Sequence, residues 1–355
     1  MKKIPMFIFL LCYCFTLQAQ HKIILDRNSE DGLFIKDASD DIHAGDTVLL
    51  KGRYTSFAIY NIKGTAEKPI VFINKGPVLI GGNQIHGAIF SGEHFKILGN
   101  GDKSLKYGIY FSSLGKDQYP HFRLKIASSK NVEIAFCDIS NAANGIIQIP
   151  GASSTITDGY YHDNYFHNVG KVTLKKPCNA INLGTANLST DISSYSFKNF
   201  RIENNLFDSL AGNAIEVFKG EFTITNNHIK HYGLAKIINC QSAILLGTNA
   251  TGEIKGNVVD SSSGTALVIL GYGNINVENN SFTHLSAALS ETQDIVTIDG
   301  TLARKENMPL LKLNFKDNTI EGTNYRYAIN NIASSNLVAG SRFSNNKIYG
   351  RLKKN

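Results

Sequence analysis

The chain has 355 residues, 43% hydrophobic and 18% charged, with a formal net charge of +7, 31 Gly, 7 Pro and no Trp. That is enough apolar material for a sizeable core and too little charge for a disordered chain. Past residue 20 no apolar run approaches the roughly 20 residues that a membrane-spanning helix needs. Asn occurs 36 times, and its positions recur.

Residues 1–20 read as a cleaved secretory signal peptide: Lys2 and Lys3 form a positive start, Ile4 to Leu17 an apolar run, and Ala19-Gln20 its end. Cys12 and Cys14 inside the run lack the small residue before them that a lipoprotein signal needs. The expectation is a soluble exported protein, secreted or periplasmic, that spans no membrane. Loss of Lys2 and Lys3 lowers the formal charge from +7 to +5. Cys137, Cys178 and Cys240 then remain, an odd number at wide spacing, which excludes a disulfide framework and leaves room for one bridge at most. Small buried side chains are the simpler reading of all three.

Between the signal and the repeats, Asp37 to Ala44 is expected to form a short capping helix. The rest, 21–355, reads as one domain with no linker. One pattern recurs along it, apolar-x-apolar-x-x-Asn-x-apolar. It covers Phe200 to Phe207, Phe222 to Ile229, Ile275 to Phe282 and Leu313 to Ile320, and, short of its first residue, Phe343 to Ile348. Asn164 and Asn257 fit it loosely, and Cys137 takes the Asn place in Val132 to Ile139. A second pattern, small-apolar-x-apolar, follows each copy: Ala180 to Leu183, Ala214 to Val217, Ala243 to Leu246 and Ala266 to Ile269, with Ile147 to Ile149 and Val296 to Ile298 as further members.

Period-2 alternation means short strands with one buried face. Strands of three to five residues cannot bury that face alone, so the repeats must stack into a solenoid. An Asn at the same bend of every turn tolerates a left-handed backbone, and its side chain can bond to the turns above and below. The pattern predicts an all-β, right-handed, single-stranded parallel β-helix with an Asn ladder. A propeller would need about four strands per 40 to 50 residues and would not fix Asn at one bend.

With these motifs the chain resembles the secreted, pectin-lyase-like β-helix superfamily over roughly residues 22–350. Its opening segments, Ala44 to Tyr54 and Gly64 to Phe72, are similar to the first coils of chondroitinase-B-like and alginate-lyase-like proteins. The resemblance implies action on a polysaccharide. It specifies the fold more closely than the activity, because one scaffold hosts many functions.

The outward positions of the small-apolar-x-apolar strands form a stripe: Gln148, Asn182, Glu216, Leu245, Val268, Thr297. Adjacent rungs are about 4.8 Å apart, so the polar members Gln148, Asn182 and Glu216 are expected to cluster. Long connections flank Asn182. The one before it carries Lys171, Lys175 and Lys176; the one after it carries Asp191 and Tyr195. Long loops in a solenoid are usually functional, and these would wall a groove.

Inverting glycoside hydrolysis needs two carboxyls roughly 6.5 to 9.5 Å apart, and Glu216 has no acidic neighbour on the stripe. β-Elimination at a uronate needs its carboxylate neutralised, a base, and an acid for the leaving oxygen. Lys219 is the candidate base and Glu216 a second catalytic group. Asn182 and Glu216 are candidate Ca²⁺ ligands. Gln148, Asn182, Lys171, Lys175 and Lys176 are candidate substrate-binding residues for an acidic polysaccharide, consistent with an isoelectric point near 9.0. No nucleic-acid partner is expected, and the protein is expected to be a monomer.

The chondroitinase-B-like pattern implies an Asn on one coil, paired Glu on the next, then a Lys and further on an Arg. Asn182 and Glu216 match in order. Ala214 and Phe218 flank Glu216 where a second acid would stand, Lys219 comes early, and Phe222 to Ile229 holds no Arg. The competing function is a non-catalytic glycan-binding or cell-surface β-helix. A third is a hydrolase drawing an acid such as Asp191 from a loop. Two His pairs, His162 with His167 and His228 with His231, sit by the Asn bend and read as structural.

Overall fold

The computed structural model describes residues 21–27, 32–81, 87–113, 124–149, 156–170, 179–184, 197–237, 240–247, 249–270, 273–287, 292–299, 311–331, 341–350 and 352–353. All strand pairings among them are parallel, each strand bonding to its counterparts in neighbouring turns. The chain winds as a right-handed parallel β-helix with three sheets. One turn shows the plan. Phe197–Glu203 lies in the first sheet, Leu206–Asp208 in the second and Ile215–Val217 in the third. The next turn repeats it with Gly220–Thr225, His228–Lys230 and Ser242–Leu246, in register.

Alternate side chains turn inward because each strand has water on one side only. The third sheet therefore stacks Ile181, Ile215, Ile244, Leu267 and Val296 in one fully buried column. Aromatic rings stack in the same way: Phe166 and Phe207 lie 4.8 Å apart and 8° from parallel. Each rung covers the next, so no rung is stable in isolation.

The bend between the first and second sheets carries the repeated Asn. Asn164, Asn205, Asn227, Asn257, Asn280, Asn318 and Asn346 form one continuous row. Each Oδ1 accepts the backbone N–H and the side-chain amide of the Asn one turn earlier, as from Asn205 to Asn227 at 3.0 Å in both bonds. Each Nδ2 also donates to a carbonyl of the previous turn, such as Tyr161 O from Asn205 at 2.9 Å. Cys137 opens the row, its N–H donating to Asn164 Oδ1 at 3.0 Å.

The left-handed backbone belongs to the residue before each row member rather than to the row member itself. Asp163, Asn204, Asn226, Asn279, Asp317 and Asn345 have φ between 53° and 57°, and Gly256 has φ 64°. Short polar side chains and Gly tolerate that region best. The recurrent Asn-Asn doublet thus divides its labour: the first residue turns the chain, and the second satisfies the buried polar groups of the bend.

The expected helix over Asp37 to Ala44 contracts to a single 3-10 turn, Ala38–Asp40. Asp37 caps it, accepting from Ser39 N at 3.1 Å and Ser39 Oγ at 2.6 Å. A helix this short lacks the hydrogen bonds to propagate, and Ala38 and Ile42 hold it by turning into the core. Among the described residues no helix is long and apolar enough to cross a membrane.

Candidate active-site groove

The third sheet presents an outward column that register fixes residue by residue: Lys125, Ile147, Asn182, Glu216, Leu245, Val268, Thr297 and Asn330. Asn182 and Glu216 are register partners on adjoining rungs, as expected. Leu245 and Val268 follow, so two apolar rungs separate this polar pair from Thr297 and Asn330.

Gln148 is not in this column. It pairs with Leu183, points inward and is fully buried, accepting from the Tyr161 hydroxyl and donating to Ser129 O at 3.5 Å. Its coil is offset by one residue from the sequence pattern. Gly145 takes the small-residue place, its N–H bonding to Asn179 O and that of Ile146 to Ala180 O. A Cβ on Gly145 would lie 2.1 Å from Ala180 O, so the slot accepts only Gly. A one-residue slip exchanges the two faces, and Ile147 takes the outward place that was expected for Gln148.

Glu216 is the centre of the polar cluster. Its Oε2 accepts from Asn179 Nδ2 at 2.8 Å and from Asn213 Nδ2 at 3.0 Å. Those two residues stand at the corner between the second and third sheets, in a second, shorter Asn row. Asn179 N donates to Asn144 Oδ1 at 3.2 Å, Asn213 N to Asn179 Oδ1 at 3.3 Å, and Ser242 N to Asn213 Oδ1 at 2.8 Å. The row fixes both amides, and they in turn fix the carboxyl. Burial raises the Glu216 pKa above the usual carboxylate range, against the opposing pull of the Asn213 and Asn179 bonds. Beside it, the buried Oδ1 of Asn182 accepts no hydrogen bond among the described residues. Buried oxygens rarely lack a donor, so this atom is an acceptor in want of one.

Lys219 follows Glu216 in the turn that leaves the sheet, with φ 50° and a partly buried side chain. Lys125 was missed in the sequence. It occupies the same outward column two rungs before Asn182, or about 10 Å. Its strand, Leu124–Ala135, carries two sheets in one uninterrupted run, so no small-apolar-x-apolar signature marked it. Lys171, Lys175, Lys176, Cys178, Asp191 and Tyr195 lie outside the described residues.

Ca²⁺ takes about 6–8 oxygen ligands. Asn182 Oδ1 and the Glu216 carboxyl supply too few, and Glu216 Oε2 already accepts two amides. Among the described residues no cluster of three or more His, Cys, Asp or Glu side chains could hold a metal ion. The described residues therefore do not by themselves fit a resident Ca²⁺.

The four histidines of the two pairs meet carboxylates beside them or on neighbouring strands. His162 meets Glu133 at 3.2 Å and Asp163 at 2.7 Å, His167 meets Asp138 at 3.1 Å, His228 meets Asp260 at 2.9 Å, and His231 meets Asp208 at 2.8 Å. All stand on the first and second sheets or their bends, away from the outward column.

The architecture is a right-handed parallel β-helix. No protein-family model matches the chain, and no curated protein matches it in sequence. Among solved structures it is similar to an alginate lyase from Paenibacillus sp. str. FPU-7, with a TM-score of 0.50 and 13% identity over 87% of this chain and 99% of that one. A second similar structure is the A-module of a mannuronan C-5 epimerase from Azotobacter vinelandii, with a TM-score of 0.41 and 15% identity over 91% of this chain and 94% of that one. At 13% identity the likeness to the alginate lyase bears on the fold alone.

Proposed function

We propose that this protein acts on an acidic, uronate-containing polysaccharide, cleaving it by β-elimination in the groove over Asn182 and Glu216. The observation that carries the reading is the Glu216 carboxyl, raised in pKa by burial and held by two fixed amides beside an acceptor that lacks a donor among the described residues. An ordinary solvated face has no use for such a group. Its raised pKa suits this carboxyl to pass a proton to the leaving glycosidic oxygen as the uronate loses its own. Asn182, on the adjoining rung, positions the sugar beside that carboxyl. Lys219 is the base, and Lys125 with Lys171, Lys175 and Lys176 holds the polyanion. The fold shared with an alginate lyase supports the scaffold of this reading. No second carboxyl shares the outward column among the described residues, which disfavours a paired-carboxyl hydrolase.

The abrupt change from Glu216 to Leu245 and Val268 favours a second reading, a β-helix that binds glycan without cleaving it. Incubation of the mature protein with alginate, pectate, chondroitin sulfate, dermatan sulfate, hyaluronan and heparin separates the two. Ultraviolet absorbance from unsaturated uronate is followed with Ca²⁺ and with a chelator. Absorbance rising on one substrate supports the lyase. A flat trace in both conditions, with the protein retained on an immobilised glycan, supports the binding protein.

A further inference from the structure

A separate cleft lies at the opposite corner of the solenoid, outside the Asn row. Its volume is about 550 Å³, and its lining includes Lys103, Lys106, Tyr107, Asn204, Asn226 and His228. The wall is the connection over residues 99–108, an outgrowth of the first-to-second-sheet bend. That outgrowth is braced: Gly108 N donates to Gly99 O at 2.8 Å, Gly101 N to Asn74 Oδ1 at 2.8 Å, and Ser104 N to Asp102 Oδ1 at 3.0 Å. Tyr107 stacks on Tyr165 of the second sheet, with ring centroids 5.8 Å apart. The floor consists of the left-handed residues of successive bends, Phe136, Asp163, Asn204 and Asn226. Three rung spacings of about 4.8 Å make that floor about 14 Å long.

The lining combines two lysines, two exposed Asn residues and one carboxylate, Asp163. Its two acidic or titrating neighbours are already engaged, Asp163 with His162 at 2.7 Å and His228 with Asp260 at 2.9 Å. Lys103 and Lys106 are different. Among the described residues no carboxylate lies within ion-pair distance of either, and Lys106 Nζ sits 5.1 Å from the Tyr107 ring centroid. The Asn204 and Asn226 amides belong to residues whose backbone, not side chain, serves the bend. Amides pair with vicinal hydroxyls, and ammonium groups meet carboxylate or sulfate. We infer that this cleft binds a short anionic oligosaccharide along the helix axis, as a non-catalytic site distinct from the Glu216 groove. The inference uses none of the groove's residues, so it stands or falls separately from the lyase reading.

The test is hydrogen–deuterium exchange of the full mature chain titrated with alginate oligosaccharides (carboxylate only), chondroitin sulfate oligosaccharides (carboxylate and sulfate) and neutral dextran oligosaccharides. The cleft account expects protection of peptides covering 99–108 by at least one anionic ligand and none by dextran. In the Lys103→Ala/Lys106→Ala variant the half-saturating concentration rises at least tenfold, while Glu216→Gln retains the protection. Asn204→Asp, which keeps the left-handed backbone and adds a repelling charge, weakens it too. Whichever anionic ligand protects identifies the charge that is read. Absence of protection at 99–108 with every anionic ligand, equal protection by dextran, or an unchanged midpoint in both cleft variants overturns the inference. Loss of turnover in Glu216→Gln bears on the groove alone.

Discussion

Asn204 and Asn205 are identical neighbours with opposite roles: Asn204 holds φ 54° and leaves its side chain exposed, while Asn205 buries its amide between Tyr161 O and Asn227 Oδ1. Exchanging them is therefore not symmetric. Asn205→Ala leaves buried partners on two turns without bonds, each costing about 1–3 kcal/mol, and is expected to destabilise the fold by several kcal/mol. Asn204→Gly keeps the left-handed bend and is expected to cost less than about 1 kcal/mol. Urea unfolding of the two variants checks the contrast.

The same doublet explains what the sequence disclosed. The stacked strands, the Asn row and the register of Asn182 with Glu216 were all legible because each is repeated, and repetition identifies position. The reason for the doublet was not, because a left-handed residue and a buried amide are both satisfied by Asn. Gln148 was misplaced for a related reason: Gly145 stood where other turns have Ala, and the pattern slipped by one. The corner row of Asn144, Asn179 and Asn213 was also missed. Its members lie outside both repeated patterns, although each stands two residues ahead of a third-sheet strand.

The inward place of Gln148 has a direct consequence. Tyr161→Phe removes the hydroxyl that donates to Gln148 Oε1 and leaves a buried acceptor unpaired. The expected cost is about 1–3 kcal/mol with turnover on any glycan unchanged, because neither group reaches the groove. Paired unfolding and activity measurements on the variant decide this.

Glu133 and His162 set a pH window for stability. The His162 hydrogen bond, with help from Lys96, outweighs burial and holds the Glu133 pKa down at about 2. Burial opposes the charged form of His162, but its bonds to Glu133 and Asp163 prevail and raise its pKa. The Glu133 contribution is complete above its ordinary pKa of 4.5 and is lost as pH falls through about 2. The His162 contribution is complete below its ordinary 6.5 and is lost as pH rises through the raised value. Tm is expected to be highest between these limits, and His162→Gln is expected to flatten its decline on the alkaline side.

Glu216 carries the opposite sign for a carboxylate. Its raised pKa means that folding favours the proton, so its contribution is complete below 4.5 and is lost as pH rises through the folded value. Glu216→Gln keeps an oxygen for the Asn179 and Asn213 amides without a charge to bury. The variant is expected to equal or exceed the parent in Tm at pH ~7 and to lose that advantage at pH ~4. A thermal melt at both pH values measures it.

The central claim is that this buried carboxyl serves the substrate rather than the fold. Its most direct test is the rate of unsaturated-uronate formation by the parent and by Glu216→Gln on whichever acidic glycan the panel identifies, with folding verified by thermal melt. The account predicts a fall in kcat of at least a hundredfold, on the scale of losing a group that assists proton transfer, with Tm unchanged or raised. Turnover equal to the parent's in a folded Glu216→Gln would contradict it.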